Sequence, residues 1–434
     1  MHIAVVPHSA PSKGGAYQYS LAVLNALASL PSEATDELTL VVRSEGEIKN
    51  LGPYASHWRP VRLPLFTRDR LMDMIEASVG EGWLRDTVKW SVHRFSPARL
   101  TDPGRIWGNG AVRRFLTCHN IDWMLYTTPN AQSFEIGLPY VMPVFDLQHR
   151  LQPEFPEVSA DGEWERREYL YRNGTRQATL ILADSEVGKE HILNFYGGYG
   201  VTEDRVKVLP YVPPPYLVSD VSQQERTRVR NNYRLPERYL FYPAQLWPHK
   251  NHLRLVQAIG RLKEDKGLEV HVVLCGAHTG AIRGQVMKDI TREVNRLGIT
   301  NQIHYLGYVC NDAMSALYAE AVGLVMPTFF GPTNIPISEA WLLGCPVLTS
   351  DIQGVREQVG DAGLLVDPRS VDAIADGISR LWENSTLRAD LAKRGKQRLS
   401  AYTEQNFCVK LAKIIAETNE MIGEQKNLYA MVSR

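Results

Sequence analysis

Residues 326–350 combine the residue types and the spacing of a ligand site. An apolar run at residues 322–326 ends in a loop containing Gly331, Pro332 and Asn334, and Glu339 follows near the start of a helical stretch. A strand, a permissive loop and a helix bring backbone N–H groups and an early carboxylate to the carboxyl end of a parallel strand. Such amides can bind phosphate and the carboxylate can hold a ribose diol, so the segment predicts a sugar-nucleotide site. The alternative is that Glu339 binds no ligand and only interacts favourably with the dipole of its helix.

A second candidate is Lys250, in the segment 242–252 that follows an apolar run and leads into a helical stretch at 253–262. A lysine near a helix start can neutralise the charge of a departing diphosphate. The alternative is a surface lysine beside an Asn251 cap.

Two further candidates lie earlier in the chain. Gly14 and Gly15 stand between a strand at 3–6 and a helix at 17–30, where paired glycines allow a ligand to approach the backbone closely. Asp146 and His149 follow a strand at 140–144. A polar pair at a strand end suits a catalytic or acceptor contact, and a structural His–Asp pair that fixes the turn is the alternative.

Short apolar runs alternate with helical patterns along both halves of the chain, which predicts an α/β protein with parallel sheets covered by helices. We predict a first doubly wound domain at residues 1–213, a linker at 214–235 that begins within the Pro213–Pro215 run, and a second domain at 236–400. A long amphipathic helix at about 404–434 is assigned to the first domain. The predicted strands are 3–6, 38–42, 61–63, 124–127, 140–144, 180–183 and 206–209, then 239–242, 270–274, 303–306, 322–326, 347–349 and 364–366.

The composition restricts the class of protein. The 434 residues contain 48 basic and 48 acidic side chains, and this balance argues against a nucleic-acid partner. The five cysteines form no C-x-x-C pair, and the N-terminal residues resemble a strand more than a signal peptide, so we expect a cytoplasmic protein.

Residues 66–114 interrupt the alternation with Trp83, Trp90 and Trp107 among many arginines. This composition suits a membrane interface or an anionic lipid-linked ligand, with a peripheral contact to the inner face of the cytoplasmic membrane. We favour the simpler interpretation, an inserted helical pair with a solvated basic face.

Taken together, these segments resemble the GT-B glycosyltransferases, specifically the retaining family 4, also called glycosyl transferases group 1. The resemblance covers nearly the whole chain and includes the Gly-Gly loop, residues 146–149, 183–186, 249–251 and 306–308, and the Glu339-to-Val347 helix and strand. It implies two Rossmann-like domains facing a central cleft, with a C-terminal helix that crosses back to the first domain.

The resemblance also implies roles for particular residues. Lys250 would contact the diphosphate and Glu339 the ribose, while the catalytic candidates are Lys250, Asp146 and His149. The remaining donor-binding candidates share a position on the loops around the nucleotide and are Gly14, Gly15, Gln245, Tyr308, Val309, Gly331, Asn334, Ile335 and Pro336. No metal or other cofactor is expected, because the sugar nucleotide is a substrate.

The chain departs from the family pattern at three positions. The first glutamate of the Glu-x7-Glu motif falls on Gly331, the basic residue five positions before the phosphate lysine falls on Gln245, and a frequent histidine falls on Phe145. These departures affect the donor-sugar contacts and the affinity for diphosphate.

The expected function is the transfer of a hexose or deoxyhexose, with mannose as a guess, to a glycan or lipid-linked acceptor in cell-surface polysaccharide or lipopolysaccharide synthesis. Retention of the anomeric configuration is expected. The alternatives are a catalytically weak nucleotide- or glycan-binding protein and a sugar-nucleotide epimerase. A Rossmann dehydrogenase is disfavoured, because no G-x-G-x-x-G follows an early strand.

Overall fold

The computed structural model describes residues 1–10, 14–31, 37–63, 106 and 108–432, with side chains described up to residue 428. The prediction for the tryptophan- and arginine-rich region 66–114 therefore lies outside the described residues, apart from 106 and 108–114. The chain divides into two units. Unit 1 comprises Met1–Pro153, Val158–Pro210 and Glu404–Arg434, and unit 2 comprises Glu154–Glu157 and Tyr211–Thr403.

Unit 1 is built on a seven-stranded sheet in which the described strand pairs are all parallel. The strands β4 and β5 are buried along their whole length, as expected for parallel strands covered on both faces. The strand order is β3-β2-β1-β4-β5-β6-β7, so the order reverses between β1 and β4. The strands are β1 His2–Val6, β2 Glu37–Val42, β3 Pro60–Arg62, β4 Trp123–Tyr126, β5 Tyr140–Val144, β6 Leu180–Ala183 and β7 Val206–Val208.

Helices connect these strands. In the described part of the chain before residue 211 they are α1 Gly15–Ala28, α2 Glu45–Asn50, α3 Tyr54–His57, α4 Gly110–Cys118, α5 Gln132–Ile136, α6 Gln148–Leu151, α7 Pro156–Ser159, α8 Glu163–Gln177 and α9 Glu186–Tyr196.

The last helix, α18 (Glu404–Val432), belongs to unit 1, which confirms the predicted return of the chain. Leu411, Ile415 and Ile422 are buried and recur at helical spacing, so one face of α18 is apolar. Polar bonds fix the register of the helix: Trp123 Nε1 donates to Asn419 Oδ1 at 2.9 Å, and Lys426 Nζ lies 2.6 Å from Asp122 Oδ1.

Unit 2 contains a six-stranded sheet in the order β10-β9-β8-β11-β12-β13, again with parallel pairs throughout. The order reverses between β8 and β11. The strands are β8 Leu240–Pro243, β9 Val272–Cys275, β10 Ile303–Tyr305, β11 Gly323–Met326, β12 Val347–Ser350 and β13 Leu364–Val366. The predicted α/β class with two Rossmann-like doubly wound domains is confirmed, and each predicted strand overlaps an observed one.

The helices of unit 2 also alternate with its strands. They are α10 Gln223–Tyr233, α11 His252–Lys266, α12 Ala281–Arg296, α13 Asn311–Glu320, α14 Ile335–Leu342, α15 Gln353–Val359, α16 Val371–Glu383 and α17 Ser385–Leu399.

The predicted linker at 214–235 differs from what the structure shows. These residues lie in unit 2, and α10 occupies half of them. Val229 is buried, and Arg226 and Arg230 bond to the two oxygens of Glu320 at 3.1 and 2.6 Å. The shared carboxylate of Glu320 thus attaches α10 to α13, and Val229 joins the core of unit 2. Neither feature is visible in the proline-rich composition that suggested a linker.

No helix in the described part of the chain is both long enough and apolar enough to cross a membrane.

Gly395 on α17 sets how closely that helix approaches Trp341 of α14, the helix that carries Glu339. A Cβ atom at Gly395 would lie 2.7 Å from Trp341 Nε1, and Trp341 is itself buried and donates to Ala362 O. We therefore expect Gly395→Ala to destabilise the protein by about 1–3 kcal/mol, the usual cost of overpacking. Urea unfolding followed by tryptophan fluorescence measures the change.

The matched control is Gly423→Ala on α18, where the added methyl group meets only Met1 Cε at 3.8 Å. This substitution should be neutral or stabilising by up to about 1 kcal/mol, because alanine favours a helix over glycine. Equal unfolding midpoints for the two variants would contradict the packing argument.

Candidate nucleotide-sugar site

The candidate site lies where the strand order of unit 2 reverses. In a doubly wound sheet, the loops that follow the two strands at this point diverge and leave a crevice at the carboxyl edge. Here the loop 244–251 follows β8, and the loop 327–334 follows β11. Phe329 N donates to His249 O at 2.7 Å, so the two loops are joined by a backbone hydrogen bond.

Lys250 stands at the end of a 3-10 turn (Pro248–Lys250) and points to the second loop. Its Nζ donates to Asn334 Oδ1 at 3.4 Å, although the two residues are 84 positions apart. Tyr242 OH donates to Lys250 O at 2.8 Å, and this bond holds the backbone. Asn251 adopts a left-handed conformation (φ 59°), and its Nδ2 bonds to the carbonyls of Pro327 and Pro368, both at 2.8 Å. The lysine is thus presented from a backbone that is fixed on several sides.

A carboxylate from a distant part of the sequence also reaches this loop. Glu157 Oε1 accepts from His249 N at 3.0 Å and lies 2.7 Å from His249 Nδ1. Burial raises the pKa of Glu157, but the bonds from His249 outweigh it and hold the pKa below its usual value. The residues are 92 positions apart, and no pattern in the sequence indicates the contact.

The side chain of Asn334 lies where a side chain at position 331 would have to be. The backbone of Gly331 has a φ of +144°, which disfavours any residue with a side chain, and a Cβ atom there would lie 2.7 Å from Asn334 Oδ1 and Nδ2. Asn334 N donates to Gln358 Oε1 at 2.8 Å, and Gln358 Nε2 donates back to Asn334 O at 2.9 Å. Gln358, which the sequence analysis missed, therefore fixes the residue that meets Lys250.

Ile335 and Pro336 form the first turn of α14, directly after Asn334. Proline fits there because the first turn of a helix leaves its N–H groups without helical partners. The predicted helix start after this loop is therefore observed.

Glu339 lies on the same helix and is only 4% exposed. Its two carboxylate oxygens accept from Tyr216 OH at 3.0 Å and Tyr318 OH at 2.5 Å. Burial raises the pKa of Glu339 above its usual value, against the two tyrosine bonds, which lower it. Each oxygen retains a further lone pair for a hydroxyl ligand. The tyrosines were not predicted, because they are 21 and 123 positions away.

Gln245, Tyr308 and Val309 have three different environments. Gln245 Oε1 accepts from Arg283 Nη1 at 2.8 Å. Tyr308 follows β10 and is 68% exposed, whereas Val309 is buried in the core of unit 2. Of these two donor-binding candidates, Tyr308 presents its side chain to solvent and Val309 does not.

The remaining candidates lie in unit 1. Gly14 is the N-cap of α1 with a φ of 57°, and the exposed Gly15 begins the helix. This helix follows β1, beside the point where the strand order of unit 1 reverses. The position of the Gly-Gly loop is therefore analogous to that of the loop 244–251 in unit 2.

The structure does not pair Asp146 with His149, contrary to the structural alternative. Asp146 Oδ1 accepts from Arg167 Nη1 at 2.9 Å and from Gln148 N at 3.0 Å. His149 is 0% exposed, and its Nε2 lies 3.3 Å from Glu168 Oε2.

The neighbours of His149 enclose its imidazole ring. Arg150 bonds to both oxygens of Glu168, and Tyr171 stacks on the imidazole at 5.6 Å between ring centroids. Burial raises the pKa of Glu168, but the hydrogen bonds from His149 and Arg150 outweigh burial and hold the pKa below its usual value. In this conformation His149 stabilises the turn after β5 and does not reach a substrate, so the structure gives no support to its predicted catalytic role.

Comparisons with known proteins identify similar sequences and similar folds. Residues 223–398 match the family model described as glycosyl transferases group 1. The O-antigen chain mannosyltransferase B of Escherichia coli is 28% identical over 282 residues, covering 62% of this chain and 71% of that protein.

Solved structures show the same fold. Anabaena HepE in complex with UDP-glucose superposes with a TM-score of 0.66 at 20% identity, covering 97% of this chain and 99% of that chain. WaaG, a glycosyltransferase involved in lipopolysaccharide biosynthesis, gives a TM-score of 0.63 at 14% identity, covering 95% of this chain and 99% of that chain. The matched residues 223–398 contain Lys250, Asn334 and Glu339, so this part of the chain is similar to the glycosyl transferases group 1 family. The solved structures show that the chain has the GT-B fold.

Proposed function

We propose that this protein transfers a hexose or deoxyhexose, with mannose as the leading candidate, from a nucleoside diphosphate sugar to a glycan or lipid-linked acceptor. The reaction retains the anomeric configuration and serves the synthesis of cell-surface polysaccharide or lipopolysaccharide. The observation that carries the proposal is the contact between Lys250 and Asn334 at the strand reversal of unit 2, one turn before Glu339. The mannosyltransferase relative supports the choice of sugar.

The three residues suit three parts of a sugar nucleotide. Lys250 supplies a positive charge for the diphosphate, and the carboxylate of Glu339 accepts from the ribose hydroxyls. Asn334 Nδ2 is buried without a hydrogen-bond partner among the described residues, so it can donate to the donor sugar or a phosphate oxygen.

The proposed chemistry needs no enzymic nucleophile. The bond between the anomeric carbon and the diphosphate oxygen breaks while the acceptor oxygen bonds to the same face of that carbon. The hydroxyl proton passes to the departing diphosphate. The protein then has to stabilise the developing negative charge and orient two substrates, which are large terms in catalysis. Lys250 and the loop amides at the start of α14 stabilise the developing negative charge, and we propose that they do so without a metal ion.

Substitution of Lys250 or Glu339 tests the site. We expect Lys250→Ala to lower kcat by about 10²- to 10³-fold, as for the loss of one group that stabilises a developing anion. Glu339→Gln should raise KM for the donor by about tenfold or more, because a charge-assisted hydrogen bond to the ribose is lost. Turnover of GDP-, UDP- and dTDP-sugars gives both constants.

Lys288→Ala, on the exposed face of α12, is the control for a lost positive charge and should leave both constants unchanged. Unchanged kcat/KM in both site variants would disprove the assignment. Donor binding by the wild type without turnover of any sugar nucleotide would instead favour a binding protein. NMR of the product tests the stereochemistry, and an inverted linkage would exclude the retaining route.

Restoring the family glutamate is expected to impair the enzyme. In Gly331→Glu, the strained backbone and the collision with Asn334 would displace the partner of Lys250. We expect kcat/KM to fall by about tenfold or more, in line with a misplaced reacting group. A higher kcat/KM in Gly331→Glu would show that the loop tolerates the family pattern.

The role of metal ions is tested by chelation. If Lys250 and the loop amides neutralise the diphosphate, treatment with EDTA should leave kcat/KM unchanged. A loss of activity that Mg²⁺ or Mn²⁺ restores would contradict this part of the proposal.

A further inference from the structure

Arg283 lies in the first turn of α12, after the loop that follows β9. Its Nη1 donates to Gln245 Oε1 at 2.8 Å, and the guanidinium carbon lies 4.7 Å from the centroid of the Trp247 ring. Both partners are neutral and both belong to the loop 244–251. Arg283 is therefore attached to the loop that contains Lys250.

The charge of Arg283 has no counterion in the described part of the chain. Two exposed arginines of the same helix do: Arg292 pairs with Asp289 at 3.0 Å and Arg296 with Glu293 at 2.8 Å. Burial lowers the pKa of Arg283, opposed only by Tyr305. A half-buried cation without an acidic partner has lost part of its hydration, so a bound anion would stabilise it. One of its five N–H donors is engaged by a described residue, which leaves donors for an oxyanion.

The backbone holds Arg283 close to the carboxyl edge of β8. Ala244 N donates to Cys275 O at 2.9 Å and Leu246 N to Ala277 O at 3.1 Å, so the loops after β8 and β9 run side by side. Gly276 makes this approach possible, since a Cβ there would lie 2.6 Å from Ala244 C. The loops cannot separate without breaking these bonds.

The loop also turns tightly between Gln245 and Lys250. Trp247 N donates to Gln245 O at 2.7 Å, and Lys250 N donates to Trp247 O at 2.9 Å. Arg283 contacts the first part of this turn, and Lys250 forms its end. The two cations therefore flank one short segment at the edge of the sheet.

We propose that Arg283 binds the diphosphate of the donor together with Lys250, and that α12 thus supplies the cation that the neutral Gln245 does not. The inference rests on the proposed function, since it names a further residue of the same site. Gln245 and Trp247 orient the guanidinium plane, and its remaining N–H groups bond to phosphate oxygens in the forked geometry that arginine offers.

Calorimetric binding of nucleoside diphosphates and nucleosides tests the proposal. GDP, UDP and dTDP are titrated into the wild type, and the tightest ligand is compared with its own nucleoside. In Arg283→Gln we expect Kd for the diphosphate to rise about 10- to 100-fold, as for the loss of charge-assisted hydrogen bonds. Binding of the nucleoside should not change, and the salt dependence of diphosphate binding should become weaker. Arg292→Gln is the matched control and should behave as the wild type.

A charge relocation makes the test more specific. In Gln245→Arg combined with Arg283→Gln, the cation returns to the β8 loop, and diphosphate affinity should recover most of its loss. If Arg283→Gln does not fold, Arg283→Lys keeps the charge without the fork or the stacking, and a smaller rise in Kd is expected.

The possible failures are distinguishable. Unchanged diphosphate binding in Arg283→Gln, or an equal loss for diphosphate and nucleoside, would overturn the inference and leave the proposed function intact. If the wild type binds no nucleoside diphosphate, the proposed function fails and this inference fails with it.

Discussion

The parallel pairing of β8 with β11 is the constraint on which unit 2 depends. Gly323 pairs with Leu240 and Leu324 with Phe241, and the order of the strands reverses at this pair. A Cβ at Gly323 would lie 2.7 Å from Leu381 Cδ2 and 3.0 Å from Pro346 O. β11 therefore fits between its neighbours and α16 only because its first residue has no side chain. The position of both loops of the site follows from that close packing.

The groups at this edge are held by bonds among buried polar atoms. Asn334 and Gln358 bond to each other, and two tyrosine hydroxyls hold Glu339. Satisfied polar networks of this kind rigidify a structure, because each bond broken in a low-dielectric interior leaves an expensive unpaired group. A site that stabilises developing charge benefits from this rigidity, since its dipoles need not reorganise during the reaction.

A buried polar network also lies at a strand end in unit 1, but there it encloses the candidate residue. His149, Arg150 and Glu168 form a buried network at the end of β5, in a sequence context that also suits a catalytic pair. In unit 1 the histidine is enclosed, whereas in unit 2 Lys250 and Tyr308 remain at least partly accessible. A polar residue at a strand end is therefore a candidate site residue, and the packing of the following helices decides whether a ligand can reach it.

From the sequence alone, the α/β class, the strands and the approximate places of the loops of the candidate site could be predicted. Buried parallel strands are continuous apolar runs, and glycine, proline and asparagine mark the turns after them, so both signals are local. Lys250 and Glu339 could be named for the same reason. Tertiary structure alone decided that Asn334 fills the space at Gly331, that Tyr216 and Tyr318 hold Glu339, that Arg283 joins Gln245, and that His149 is enclosed. These contacts join residues far apart in the chain, and their geometry depends on strand order and helix packing, which no local pattern encodes.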